Sequence, residues 1–365
     1  MLNKKLSVFF LGVLVVIAGG VVFKVASSVI MPMLIALLAS FILFPVIKAM
    51  KKIKIPNTLG IIIILSILAG VIYLLVMILY NTISIFTLQL PWYMEQLKGI
   101  YRDITQQIMM RYSISTADFF LEYDWGRLVR GYLVSFADSI TRIAGYSFIV
   151  LIYLLFLLLE YPAFTNKLNR AYPKMAKRII IIIGKTTRGV GKYLAVKAFI
   201  SAITGFCTWI ILTIIGLDFA LLWGVMTFFL NFIPYVGTMI VVTCIVLQSI
   251  VQFYPSLGMV LLVTISISTL QFALGNIIDP RMQGGRLKLS VVVILFSLAF
   301  WGWIWGIMGA FLAIPITVTI KTICLNIPVL RPIGILMGKD FVKEKIKPEN
   351  KIPPAGDKDM DKSDG

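Results

Sequence analysis

The polar side chains that could do chemistry in this sequence lie inside otherwise apolar stretches. Asp279 could carry a proton or hold a small cation, because carboxylates within such stretches often serve in ion pathways. It could also be a carboxylate at the edge of its stretch that pairs with Arg281 or caps a helix. Amide and hydroxyl groups elsewhere could bind a polar solute or an ion through hydrogen bonds. These further candidates are Asn231, Tyr235, Thr238, Gln271, Asn276 and Ser290, together with Ser297.

The residue types that the chain lacks exclude several kinds of chemistry. There is no histidine, which removes Ser–His and Cys–His nucleophile pairs, histidine-ligated haem and histidine-based zinc sites. Cys207, Cys244 and Cys324 lie in apolar stretches without close spacing, so we interpret them as small apolar side chains. Few acids or bases are available for proton transfer. We therefore expect no enzymatic activity, no metal site and no cofactor.

The elements that position the candidate side chains are membrane helices. Of the 365 residues, 59% are hydrophobic and 14% are charged, and the mean hydropathy is +0.96. Soluble domains carry about 45–50% apolar and about 25% charged residues. A single soluble globule could not bury this much apolar surface. The composition therefore predicts an all-α, polytopic integral membrane protein whose first partner is the lipid bilayer.

The net charge of +18 is concentrated in blocks beside the apolar stretches. On a soluble protein it would suggest nucleic-acid binding, but its location here indicates membrane topology, and we expect no nucleic-acid partner. Residues 160–197 hold nine basic residues and one acid, whereas residues 95–142 hold six of each sign. Because cytoplasmic loops are enriched in Lys and Arg, we place 160–192 inside and 81–143 outside. Both termini are then cytoplasmic.

Two local patterns imitate functional motifs. Gly184-Lys185-Thr186-Thr187 resembles part of a phosphate-binding loop, but the glycine required five positions earlier is Ile179. Attraction to anionic lipid explains these cations better. The N-terminus resembles a signal peptide, with Lys4-Lys5 before an apolar run. Apolar character resumes almost at once through residue 47, so we favour a retained transmembrane hairpin.

The apolar stretches divide the chain into four regions. Residues 1–80 contain three predicted spans, and residues 81–144 contain two extracytoplasmic amphipathic helices joined around 113–124, because apolar residues recur there at helical spacing. These outer helices would pack on the bundle or bilayer, or contact another subunit. Residues 145–338 contain the remaining spans. Residues 339–365 form a polar cytoplasmic tail that we expect to be disordered.

The stretch 219–253 is too long for one span and is interrupted near its middle. Its 35 residues would form a helix of about 52 Å, against a bilayer core of about 30 Å. Pro234 removes a helix hydrogen bond and Gly237 permits a sharp turn. Two half-length helices that enter the membrane from outside and return therefore fit best, although Pro234 could instead kink one long tilted helix.

The stretch 291–323 is likewise over-long, and it is interrupted between Trp301 and Gly309. It predicts a second hairpin, entering from the cytoplasm. Its three tryptophans could alternatively form an interfacial belt, and Gly302 with Gly306 could mark a close helix contact. Transporters use broken hairpins of this kind, because non-helical backbone at membrane depth is tolerated only where it lines a cavity or is buried in protein.

At these residues the sequence resembles the autoinducer-2 exporter family of bacterial predicted permeases. The resemblance extends from about residue 6 to residue 338. Two positions depart from the family pattern, where Thr238 and Val291 stand in place of common prolines. The matching residues are Asn231-Phe-Ile-Pro-Tyr-Val-Gly237, Asn276-Ile-Ile-Asp-Pro280, Gly284, Leu289-Ser290, Trp301-Gly302, Gly306, Gly309, Leu312-Ala313 and Pro315, with Pro32, Ala36 and Phe44-Pro45 near the N-terminus.

The resemblance implies about eight membrane-embedded helical elements in a bacterial cell membrane, and homo-oligomers such as pentamers. It also implies export of small solutes, since some members look like exporters of autoinducer-2 and others like sodium(lithium)/proton antiporters. We therefore predict a secondary transporter that moves a small polar solute or a monovalent cation. Its hairpins would form the site, and an ion gradient would drive it. The rival hypothesis is a non-transporting oligomeric scaffold or regulator that acts through the extracytoplasmic helices.

Overall fold

The computed structural model describes residues 10–11, 14, 18–112, 125–283 and 289–338. Within these ranges the chain is a set of long helices, with one isolated antiparallel bridge between Leu289 and Gly338. The helices are α1 (Ser27–Lys52), α2 (Asn57–Tyr112), α3 (Trp125–Ala171), α4 (Pro173–Ile215), α5 (Ala220–Leu230), α6 (Val236–Phe253), α7 (Leu257–Phe272), α8 (Asp279–Gln283), α9 (Val291–Asn326) and α10 (Arg331–Leu336). A π-helix, Ala273–Ile278, joins α7 to α8, and a short 3₁₀ turn, Pro328–Leu330, precedes α10.

Helix length and surface composition confirm the predicted fold class. The described residues contain seven helices long and apolar enough to cross a membrane, together with the shorter apolar helix α5. Large apolar side chains cover the outer surface, and Leu88, Ile214 and Ile307 are each 79–80% exposed. Such a surface is stable against lipid and unstable against water. The chain is an all-α, polytopic membrane protein.

Two helices are longer than the sequence pattern indicates. Helix α2 has 56 residues, so the third predicted span and the first outer amphipathic helix are one continuous helix of about 84 Å. Helix α3 likewise continues through residue 144 into the basic segment. The four-region division stays a prediction. The predicted joint at 113–124, the tail 339–365 and half of the first predicted span, residues 6–23, lie outside the described residues.

Helix α4 lies at the centre of the packing. Pro173 stands in its first turn, and Gly216 ends it in the left-handed conformation at φ 81°, as is common for glycine after a helix. Its N-terminal half packs with α1 and α9 through buried residues such as Val190. Its C-terminal half packs with α6 and α7 through Leu212, and Leu217, just beyond the end of α4, joins the same cluster. Side chains on α4 therefore have neighbours from both ends of the chain.

Candidate functional site

The first interrupted stretch folds back on itself, and we call residues 219–253 hairpin A. Helix α5 ends at Leu230, five residues form the link, and α6 begins at Val236. The two arms touch backbone to backbone, because a Cβ added at Gly237 would lie 1.8 Å from the Leu230 carbonyl oxygen. Further along the arms, Trp223 Nε1 donates a hydrogen bond to Gln248 Oε1. The arms of hairpin A are thus paired along their length.

Polar contacts hold the open end of hairpin A. The backbone N–H of Asp218 donates to Gln252 Oε1, and Gln248 Nε2 donates to the Asp218 carbonyl oxygen, both at 2.9 Å. Tyr93 on α2 donates its hydroxyl hydrogen to Asp218 Oδ2 at 2.9 Å. The carboxylate therefore accepts from a distant helix while its own backbone pairs the two arms. This network fixes hairpin A to α2.

The second interrupted stretch also reverses direction, and we call residues 291–326 hairpin B. Its turn is a single residue, Gly306, with φ 63° and ψ −144°. A Cβ added at Gly309 would lie 1.9 Å from the Trp301 carbonyl oxygen, so these arms also touch at a glycine. Across the arms, Thr317 Oγ1 lies 2.7 Å from Ser297 Oγ, and both residues are buried.

Aromatic side chains surround the turn of hairpin B. Trp301 and Trp305 stack with ring centroids 5.0 Å apart, and Trp305 Nε1 donates to the Phe23 carbonyl oxygen at 2.9 Å. Trp303 is 66% exposed, with the ammonium of Lys24 at 4.9 Å from its ring centroid. Two of the three tryptophans therefore pack inside the protein, and only Trp303 has the exposure expected of an interfacial residue.

The tip of hairpin A lies against hairpin B. Phe232 and Phe311 have ring centroids 4.6 Å apart. Ile233 packs in one buried cluster with Leu298 and Ala313, which belong to the two different arms of hairpin B. The link of hairpin A ends at Tyr235, 71 residues before the turn of hairpin B at Gly306. The two interruptions are thereby part of one packed unit.

Beside this unit, α4 presents a row of buried polar side chains, which we call the polar face. Lys197 Nζ lies 2.9 Å from Asp279 Oδ2, and the two side chains are 6% and 13% exposed. One helical turn further on, Ser201 Oγ accepts a 2.9 Å hydrogen bond from Asn231 Nδ2 at the end of α5. Because residues four apart lie on one side of a helix, α4 brings Asp279 and Asn231 to adjacent turns.

The polar face continues in both directions along α4. Tyr193 is one turn before Lys197, and Thr204 and Thr208 follow Ser201 at helical spacing; all three are buried. Among the described residues, the hydroxyls of Thr208 and of Thr227 on α5 are buried without a hydrogen-bond partner. Buried polar groups are normally paired. The unpaired hydroxyl of Thr208 lies 11 residues along α4 from Lys197 of the ion pair, which is about 16 Å. The two hydroxyls therefore mark a second place where a ligand could bind, further along the polar face.

The other sequence candidates lie elsewhere. Tyr235, at φ 62°, is 61% exposed at the tip of hairpin A. Gln271 is buried on α7, whereas Asn276 is exposed on the π-helix. Among the described residues, no hydrogen bond or ion pair joins any of these three side chains to the polar face.

The remaining candidates are backbone and packing positions. Pro234 and Thr238 are half-buried in hairpin A. Ser290 precedes α9, and its backbone N–H donates to the Met337 carbonyl oxygen at 3.0 Å. Gly302 has only the Ala310 Cβ nearby, at 3.9 Å from an added Cβ. Pro315 is buried in the second arm of hairpin B. The part of Pro234, Thr238 and Ser290 in substrate binding stays a prediction.

Sequence reasoning missed the residues that connect the candidates. Lys197 is the last of the nine basic residues in 160–197, and Ser201, Thr204 and Thr208 lie in a stretch that the sequence predicts to be an apolar span. Their spacing of four, three and four residues is that of one helix face, and a lysine at the head of such a face is unusual in an apolar span. That combination was the available signal. In the structure, the ion-pair partner of Asp279 is Lys197, whereas the sequence had suggested Arg281.

Comparison with known proteins agrees with this architecture. The family model described as AI-2E family transporter matches residues 11–328. A putative transport protein of Borreliella burgdorferi is 36% identical over 343 residues, covering 93% of this chain and 92% of the relative. The AI-2 transport protein TqsA of Escherichia coli is 29% identical over 323 residues, covering 88% and 92%. This chain belongs to the AI-2E transporter family.

Proposed function

We propose that this protein is a secondary transporter of the bacterial inner membrane, with both termini in the cytoplasm. It exports a small polar solute resembling autoinducer-2, or it exchanges a monovalent cation for protons, and it works as a homo-oligomer. The observation that carries the proposal is the polar face of α4, where a buried ion pair adjoins the tip of hairpin A. Family membership supports a transport role, and the E. coli relative is named for AI-2 transport.

The ion pair gives the proposal a mechanism. Removing two charges from water is costly, so a buried pair is retained only where each charge has a partner or a task. Lys197 already supplies a positive charge to the Asp279 carboxylate. A sodium ion or a proton arriving at Asp279 would replace that charge and release the ammonium. The carboxylate would thereby exchange one cation for another and would never be a buried charge without a partner.

The hairpin adds groups that could bind a solute. Half-helices inside a membrane end in N–H and carbonyl groups without helical partners, which can bind charged or polar ligands. Asn231 stands at such an end, and its amide reaches the polar face. The unpaired hydroxyls of Thr208 and Thr227 supply two more donors. A small polyhydroxylated solute fits this set of amide and hydroxyl groups better than an apolar one.

Flux through purified protein in liposomes tests the proposal. Autoinducer-2, sodium and proton fluxes are measured with and without an imposed ion gradient, and we expect added ATP to leave them unchanged. We expect Asp279→Asn to lower coupled flux at least tenfold, because the neutral amide cannot exchange a cation. Glu160→Gln is the matched control, since Glu160 is an exposed acid paired with Lys167 at the surface.

Two results would contradict the proposal. Full ion-coupled flux through Asp279→Asn would remove the coupling role of Asp279. Absence of all three fluxes from the wild-type protein, with phenotypes confined to changes in 95–142, would favour the scaffold hypothesis instead.

The proposed topology has its own test. Hairpin A would enter from outside and hairpin B from the cytoplasm, because the basic segment 160–192 is assigned to the inside. Cysteines at Tyr235 and Trp303 suit accessibility labelling, since both side chains are exposed near their turns. Gly237 is unsuitable for labelling, because a side chain there would clash with the Leu230 backbone. Labelling of both positions from the same side would contradict the proposed topology.

A further inference from the structure

A cavity opens at the N-terminal half of α4 that the transport proposal does not use. It has a volume of about 640 Å³ and lies between α4, α8 and the end of α9. A volume of a few hundred cubic ångströms is typical of small-molecule sites. The side chains that give the cavity its chemistry are Lys185, Arg188, Lys192, Tyr193, Gln283 and Thr322.

Three cations line one wall of this cavity. Lys185, Arg188 and Lys192 are spaced by three and four residues, so they occupy one face of α4. The described residues that line the cavity include no carboxylate. None of the three cations is ion-paired with a carboxylate among the described residues. The wall is therefore a concentrated positive surface available to an anion.

Glycine makes room beside the cations. Gly184 and Gly189 also line the cavity, and a Cβ added at either would meet no heavy atom within 4 Å. The segment that imitates a phosphate loop is helical here, so its backbone N–H groups are used within α4. Any anion must then be held by side chains. Arg forms forked hydrogen bonds to phosphate oxygens, and Lys binds phosphate as a point charge.

We propose that this cavity binds a phosphate group, carried either by a free phosphorylated solute or by an anionic lipid headgroup. Basic pockets at the cytoplasmic ends of membrane helices favour phosphate-bearing headgroups. The cavity also adjoins the polar face: Tyr193 belongs to both, and Gln283 both lines the cavity and donates a hydrogen bond to Asp279 Oδ1. A ligand in the cavity would therefore contact Gln283, whose side chain is hydrogen-bonded to the carboxylate of the ion pair.

Binding measurements on the full-length protein separate the two phosphate sources. Inorganic pyrophosphate is titrated onto protein in detergent, and lipid binding is compared in nanodiscs of phosphatidylglycerol and of phosphatidylcholine. The test variant combines Lys185→Gln, Arg188→Gln and Lys192→Gln. The control combines Lys177→Gln and Arg178→Gln, which are exposed on the same basic segment but outside the cavity. A second variant, Gly189→Leu, fills the cavity and keeps every charge.

The expected loss follows from the number of cations removed. Each Lys or Arg near an anionic surface contributes about a fivefold gain in affinity, so the triple variant should bind roughly a hundredfold more weakly. Pyrophosphate binding lost in both test variants supports a free phosphorylated solute. Loss confined to phosphatidylglycerol supports a headgroup.

Three outcomes overturn the proposal: no phosphate-dependent binding by the wild type, triple-variant affinity within twofold of the wild type, or an equal loss in the control. Wild-type affinity in Gly189→Leu also overturns it, because the cations would then bind phosphate as an open surface and not within a cavity. Because ion-coupled flux is measured separately, the cavity site and the transport function can fail independently.

Discussion

Hairpins A and B both have a glycine where their arms touch, but their turns differ. Each must bring two antiparallel arms into backbone contact, and each has a glycine where the arms touch, with an added Cβ at 1.8 Å and 1.9 Å from a carbonyl oxygen. Hairpin A then turns through a five-residue link that includes Tyr235 at φ 62°. Hairpin B turns at Gly306 alone, with helix on both sides.

The surroundings of the two turns differ even more. Hairpin A is held by polar contacts: Asn231 reaches Ser201 near its tip, and Gln248 and Asp218 pair its open end. Hairpin B is held mainly by stacked tryptophans and apolar packing. Polar groups near a turn can be shared with a ligand, whereas packed aromatic rings cannot. This difference supports the proposal that hairpin A contacts the solute and that hairpin B holds hairpin A in place.

The largest expected effect tests what the hairpins share. Gly237→Ala and Gly309→Ala should each destabilise the protein by about 3 kcal/mol or more, because the opposite backbone must move. Thermal unfolding in detergent measures the loss. Gly258→Ala is the control, since its Cβ would meet nothing within 4 Å. Equal melting temperatures for all three variants would show that the arms are not in contact.

The next effect tests how the turns differ. Gly306→Ala should cost about 1–3 kcal/mol through backbone strain alone, because no neighbour lies within 4 Å of the added Cβ. Tyr235→Gly should change stability in the opposite direction, since glycine adopts positive φ without that strain. The melting temperatures of the two variants therefore bracket the wild type. Destabilisation by both would mean that the Tyr235 side chain contributes more than its backbone costs.

The smallest expected effect on stability comes from one variant in each hairpin, and it tests whether hairpin A contacts the solute while hairpin B only supports it. Asn231→Leu and Ser297→Ala each remove one side-chain hydrogen bond within the membrane region, worth about 0.6 kcal/mol. We expect similar melting temperatures for the two variants. Solute flux should nevertheless fall severalfold for Asn231→Leu alone, because only Asn231 adjoins the polar face. Equal flux through both variants would remove the distinction between the hairpins.

Much of the architecture was predictable from local pattern. Apolar length and the absence of charge indicate membrane helices, and both interruptions were located because Pro234 and the Gly302–Gly309 segment break an over-long run. The continuity of α2 and α3 through residues 80 and 144 was not predicted. A change from apolar to amphipathic character ends a span without ending its helix, since the backbone hydrogen bonds continue in either environment.

The candidate site was predicted in part. Asn231 and Asp279 were singled out because polar groups in apolar stretches are costly. Ser201 and Lys197 were missed, because the cost of burying them is offset by partners 30 and 82 residues away in the sequence. Tyr235 and Asn276 were expected to line the site by their motifs; both are exposed, and their part in the site stays a prediction.

The sequence by itself determined that this is a polytopic helical membrane protein with two interrupted, over-long apolar stretches. Apolar length, charge location and backbone-breaking residues act locally, so they can be read along the chain. Only the tertiary structure decided which polar groups meet. The partner of Asp279 is Lys197 and the partner of Asn231 is Ser201 because α4 lies between α5 and α8. That arrangement depends on how helices pack across long sequence separations, which no local spacing records.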